Sequence, residues 1–304
     1  MEESAWTRFW NKGGFWRALL LAVVYLALYL GSSLIIGQFW GDQVDAKNLF
    51  ATPQSVFFGL MLPLIVGAVV LTLFLWSVGW FKLLFAKQPI SGHWWMWIAP
   101  MAVVLAIVLR FLGIDYGSFA PGVVVVTLIA GLFVGFAEEV LTRGIAVKML
   151  RDAGKSEWVV MTLSSLIFAL LHSTNILAGF PLLTVLATIG FAFGFGVCMY
   201  LTLRVTGNLI WPILIHGLYD PTLFLAEGGI DVGVSVESSP FLAIASPANL
   251  VFLVIAVAGL IFVRGQVHKP VSFSPPTGPI VDASQTPEGR LDVRRRPSEP
   301  PASE

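Results

Sequence analysis

Apolar residues in this chain come in blocks of about 20, separated by short polar segments, and the blocks set the architecture. A bilayer core about 30 Å thick is crossed by roughly 20 helical residues. Eight blocks approach that length: roughly Phe15–Ile36, Val56–Phe81, Trp94–Ile114, Val123–Leu150, Trp158–Leu177, Leu182–Leu203, Leu209–Leu225 and Leu250–Val263. The last is short and extends back towards Phe241. The pattern predicts an all-α, polytopic membrane protein with about eight transmembrane helices. The first block follows Arg8, Lys12 and Arg17, as a signal peptide would, but it is too long for one. We read it as an uncleaved anchor.

Composition strengthens the membrane assignment. The 304 residues are 57% hydrophobic and only 12% charged, with a mean hydropathy of +0.83. An ordinary soluble domain is about 25% charged. One cysteine, Cys198, excludes an internal disulfide framework. The formal net charge of zero hides a segregation. With eight spans, one side of the membrane carries Arg8, Lys12, Arg17, Lys82, Lys87, Lys148, Arg151, Lys155, Arg204, Arg264 and a basic tail. The other carries only Lys47 and Arg110, with Asp42, Asp45, Asp115, Glu227, Asp231 and Glu237. Positive charge stays inside, so both termini are expected in the cytoplasm, with the cell (plasma) membrane as the location. An odd number of spans would put the basic tail outside.

Three segments follow: a cytoplasmic stretch 1–14, a membrane domain 15–263 and a tail 264–304. The tail is rich in Pro, Ser and charge and carries Arg294-Arg295-Arg296; it is expected to be disordered. Trp76, Trp80, Trp94, Trp95 and Trp97 cluster at span ends, as interfacial anchors do. The second and third spans contain no acidic residue, and the first three read as scaffold. Gly190-x-x-x-Gly194, followed by Gly196, is expected to pack helices closely within the protein.

Ionisable groups inside the membrane are costly, roughly 2.5–3.5 kcal/mol each on insertion scales, and mark function. Here they gather in the fourth, fifth and seventh spans. Glu138, Glu139 and Arg143 follow an apolar run, Val123–Ala137, broken only by one Thr and two Gly. His172 lies in the fifth span; His216 and Asp220 lie in the seventh. Glu139 and Arg143 are i,i+4 and share a face, whereas Glu138 points about 100° round the helix. The simplest pairing gives Arg143 to Glu139 and leaves Glu138 free to act as a general base. Counted from the cytoplasmic ends at 1.5 Å per residue, Glu138, His172, His216 and Asp220 lie at depths of about 18, 21, 11 and 17 Å. All four therefore meet in one layer. Pro221 cannot bond back to Gly217 and should kink the seventh helix beside Asp220. A carboxylate and two imidazoles suffice to activate a water and hold an oxyanion. No nucleophile is evident: Ser164 and Ser165 lie about two turns from His172, and a serine in a membrane helix usually bonds its own backbone.

Glu-Glu-x-x-x-Arg at Glu138–Arg143, Phe-x-x-x-His at Phe168–His172 and His-x-x-x-Asp at His216–Asp220 resemble, in order and separation, the three motifs of the CAAX prenyl protease and bacteriocin-processing family. Gly190, Gly194 and Thr206-Gly207-Asn208 resemble it too, and the likeness covers about Gly131 to Leu225. The resemblance implies an eight-helix intramembrane endopeptidase of the glutamate type, with a protease core at about 123–225. Glu138 is then the base, assisted by His172. Glu139, Arg143 and Phe168 support the site, and His216 with Asp220 polarises the scissile carbonyl. Where prenyl proteases carry Asn, this chain has Asp220, which is expected either to be protonated or to orient His216.

The family reading needs no metal. The alternative is a zinc protease built on Glu138, His172 and His216. A non-catalytic reading is a scaffold, a toxin-immunity protein or a proton-coupled transporter. No inverted repeat supports a transporter. The expected partners are the bilayer and a membrane-associated or lipidated protein or peptide, with no nucleic acid. Charge in the 227–237 loop is expected to be solvated.

Overall fold

The computed structural model describes residues 4–227 and 239–267, all within one compact unit, Met1–Lys269. The expected disordered tail lies, from residue 268 on, outside the described residues. An amphiphilic helix, α1 (Ala5–Asn11), starts at a Ser4 cap and packs Trp10 against Phe74. The long elements follow: α2 (Phe15–Gln43), α3 (Pro53–Val78), α4 (Trp94–Gly113), α5 (Val123–Asp152), α6 (Glu157–Ala178), α7 (Leu182–Thr206), α8 (Ile210–Glu227) and α9 (Pro240–Phe262). Among the described residues there is no strand. The all-α, multi-pass architecture is therefore as expected.

Seven of these helices are long and apolar enough to cross a membrane. The eighth expected span, α8, is not among them. Its Pro212, His216, Asp220, Pro221 and Glu227 dilute its hydrophobicity. Yet α8 has an exposed apolar stripe, Ile210, Trp211, Leu214 and Leu218, and a buried face carrying His216, Gly217 and Tyr219. That division fits a helix with lipid on one side and a polar interior on the other.

Helix α8 lies directly on α5, and glycine makes this possible. A Cβ on Gly131 would sit 2.4 Å from the Gly217 carbonyl oxygen and 2.0 Å from Pro221 Cγ; one on Gly135 would sit 2.3 Å from the Ile213 oxygen. Backbone thus meets backbone, as at small-residue membrane interfaces. The Gly217 carbonyl, which Pro221 cannot bond, is the one that faces Gly131. Of the glycines expected to pack closely, Gly194 lies against Leu253 of α9 and Gly196 against Arg143, Ser165 and Phe168, but a Cβ on Gly190 would meet nothing within 4 Å. The close-packing pair is Gly131-x-x-x-Gly135.

Several spans depart from uniform α-helix, and in two of them, α5 and α6, the departure falls at a motif. α5 is α-helical over Val123–Glu139, a π-helix over Val140–Ala146, and α-helical again to Asp152. α6 tightens into a 3-10 helix over His172–Ala178. Both changes begin at motif residues: the π segment starts immediately after Glu139, and the 3-10 segment starts at His172. Departures of this kind recur at functional sites.

Arg110, expected as a charge of the outer loops, is buried. Its Nε meets Glu227 Oε1 at 2.9 Å, and its guanidinium lies 4.8 Å from the Tyr219 ring centroid. Glu227, expected to be solvated, is the partner that neutralises it. Position in a terminal turn does not reveal this, because burial here depends on which helix ends adjoin.

Candidate active site

Arg143 anchors the site from behind. Its Nη1 is 3.2 Å from Glu139 Oε1, Nη2 donates to the Gly196 carbonyl at 2.7 Å, and the guanidinium lies 4.5 Å from the Phe168 ring centroid. The expected Glu139–Arg143 pair is present, and both side chains are fully buried. Glu139 has a second partner that spacing along one helix could not reveal. His216 Nδ1 lies 2.7 Å from the same Oε1, across 77 residues. A carboxylate only accepts, so His216 Nδ1 carries the proton, and Nε2 is turned the other way.

Nε2 looks into a cavity of about 340 Å³. Glu138 Oε2 is 3.8 Å from it and Asp220 Oδ2 is 3.5 Å from it. Glu138 and Asp220 side chains retain 22% and 19% exposure, whereas Glu139 has none. The two adjacent glutamates are thus separated: one opens onto the cavity and the other is sealed behind it. His172 lines the same cavity, with Nδ1 3.3 Å from the Phe168 carbonyl oxygen. Phe168 stands between the rings, edge-on to His172 at 5.2 Å and to His216 at 5.7 Å. All seven motif residues therefore converge. The imidazole held by a carboxylate is His216, and the carboxylate on its Nδ1 is Glu139; Asp220 faces Nε2 instead. Asp220 therefore reaches His216 from the Nε2 side at 3.5 Å, while Glu139 holds Nδ1.

The cavity also uses residues outside the motifs. Phe195 of α7 lies 4.8 Å from the His216 ring and 4.6 Å from Tyr219. Tyr219 donates to Asn249 Oδ1 of α9 at 3.3 Å, and Asn175 and Asn249 both line the cavity. Tyr29 brings α2 into the same wall, so the expected scaffold span contributes to the site. Their only sequence signal was a polar or aromatic residue in an apolar block. Ser164 bonds the Met161 carbonyl, and the buried Ser165 hydroxyl has no partner among the described residues. Neither lines the cavity. Among the described residues no three His, Cys, Asp or Glu side chains are arranged to hold a metal ion.

The model of a family described as type II CAAX prenyl endopeptidase Rce1-like matches residues 120–222. Over those residues the chain is similar to the CAAX protease family. The match runs from just before α5 to just past Pro221 and includes every motif residue. No curated protein and no solved structure matches the chain. That likeness, with seven helices apolar enough to cross a membrane, supports a multi-pass membrane protease in general. The three motifs lie on α5, α6 and α8, and the backbone contact at Gly131 and Gly135 joins α5 to α8.

Proposed function

We propose that the protein is a glutamate-type intramembrane endopeptidase in which Glu138 activates water. The observation that carries this reading is the split between the adjacent glutamates. Glu138 shares an open cavity with His172, His216 and Asp220, while Glu139 is sealed and bonded to His216 and Arg143. A water between Glu138 and His172 would lose its proton to Glu138 as it attacks the scissile carbonyl. His216 Nε2, facing the same space, would donate to the oxyanion once protonated, with Glu139 neutralising the imidazolium. Glu138 then returns the proton to the leaving amine.

Asp220 contributes as the protonated acid, a donor equivalent to the family's asparagine. The aromatic wall of Phe195, Phe180 and Phe224 suits an apolar segment, consistent with a membrane-associated or lipidated substrate. We place both termini in the cytoplasm and the protein in the cell membrane, on the charge asymmetry of its loops.

The reaction needs no metal on this reading. A zinc ion would have His216 Nε2, His172 and the cavity carboxylates as ligands, so chelation separates the two readings. The test is peptidase profiling of native membranes containing wild type or Glu138→Ala, with and without exhaustive chelation. Cleavage products should vanish with Glu138→Ala and persist after chelation. Unchanged products in Glu138→Ala would refute the mechanism, and loss on chelation would favour zinc.

A further inference from the structure

Beside the C-terminal part of α5, from Arg143 to Asp152, lies a second cavity of about 220 Å³. Lys87, Arg143, Lys148 and Arg151 line it, against a single carboxylate, Asp152. Its wall is preformed. The loop before α4 is pinned to the end of α7 by Gln88 N–H to the Gly207 carbonyl (2.9 Å) and Gly92 N–H to the Arg204 carbonyl (2.7 Å).

The ion pairs around it do not balance. Lys148 meets Asp152, Arg143 meets Glu139, and Arg151 and Arg204 share the single carboxylate of Glu157. Lys87 makes no ion pair among the described residues. Five cations thus face three carboxylates, one of which, Glu139, is also held by His216. Arg143 Nε is buried with no acceptor among the described residues. Uncompensated cations in a partly desolvated pocket call for an anion.

Depth says which anion. Exposed Trp16, Trp76 and Trp94 belong to this end of the helices, and Trp80 lies 3.9 Å from Lys148 Nζ. Such tryptophans mark headgroup level. Apart from Gln88, which accepts from Arg151 Nη1 at 2.6 Å, the rest of the lining, including Leu83, Leu84, Pro89, Val147 and Val267, is apolar. Cationic pockets between helices at headgroup level suit anionic lipid.

We propose that this cavity binds the phosphate of an anionic phospholipid, with Lys87 as its free cation and Lys148 and Arg143 behind it. Because Arg143 also bonds Glu139, the lipid site and the reaction cavity share one side chain.

The test uses the full chain in detergent and needs no substrate. Cys198 is the chain's one cysteine and is fully buried, so a thiol-reactive fluorophore reports unfolding through it. Phosphatidylglycerol, phosphatidylcholine and inorganic phosphate are titrated separately against the unfolding midpoint. Phosphatidylglycerol should raise the midpoint with concentration and phosphatidylcholine should not. Lys87→Gln should shift that titration to about five-fold higher lipid. Lys82→Gln, outside the cavity, should leave it unchanged. A shift by inorganic phosphate equal to that by the lipid would assign the same cations to a free anion. Equal effects of the two lipids, or a phosphatidylglycerol titration left unshifted by Lys87→Gln, would overturn the proposal.

Discussion

Gly135→Ala tests whether the backbone contact between α5 and α8 sets the geometry of the site. The added methyl would lie 2.3 Å from the Ile213 carbonyl oxygen, 2.6 Å from Gly217 N and 2.9 Å from Gly217 Cα. These are backbone atoms, so no rotamer relieves the clash. Restoring ordinary contact moves α8 away from α5 by about 1 Å. His216 is in the same turn as Ile213 and Gly217 and moves with them. Its 2.7 Å bond to Glu139 would then stretch to roughly 3.7 Å, outside hydrogen-bonding range.

Overpacking costs about 1–3 kcal/mol, and a lost bond to a charged group about 1.5–3 kcal/mol. Alanine's better helix propensity returns about 1 kcal/mol. The net destabilisation is then roughly 1.5–5 kcal/mol, and a 1 Å displacement of a reacting group costs on the order of 10²-fold in rate. The unfolding midpoint reported by Cys198, together with peptide-product profiling in membranes, measures both. Gly190→Ala is the matched control, because nothing lies within 4 Å of its new methyl. If Gly135→Ala matches Gly190→Ala in both midpoint and products, the α5–α8 contact does not set the site.

Two further substitutions address separate parts of the molecule. Asp220→Asn should keep substantial activity and Asp220→Ala should lose most of it, since the site needs a donor at that position; an Asn variant as inactive as Glu138→Ala would remove Asp220 from the oxyanion role. Glu157→Gln should lower the unfolding midpoint by an amount equivalent to about 3–5 kcal/mol. It leaves Arg151, Arg204 and the Tyr200 hydroxyl, all bonded to Glu157, without their buried carboxylate. A change under about 1 kcal/mol, read from the same thiol assay, would refute that network's structural role.

The block pattern foretold a multi-pass helical protein because lipid demands internal backbone bonding and apolar surfaces along about 20 residues, a constraint written locally in the chain. The Glu139–Arg143 pair was equally legible, since i,i+4 is a property of one helix. So was the convergence of Glu138, His172, His216 and Asp220 at one depth, since span ends give a common origin for counting.

Other features depend on which helices become neighbours. No local rule joins Glu139 to His216 across 77 residues, and without that contact Asp220 looked like the orienting carboxylate. Arg110 and Glu227 read as loop charges until the ends of α4 and α8 came together. Phe195 and Asn249 were ordinary members of apolar blocks until α7 and α9 closed the cavity. The identity of the close-packing glycines was likewise a tertiary matter. Gly131-x-x-x-Gly135 and Gly190-x-x-x-Gly194 have the same spacing, and only the first faces a backbone along its whole length. Periodicity says which residues share a helix face; what that face meets is decided by packing between helices, where a tenth of a nanometre separates a hydrogen bond from a gap.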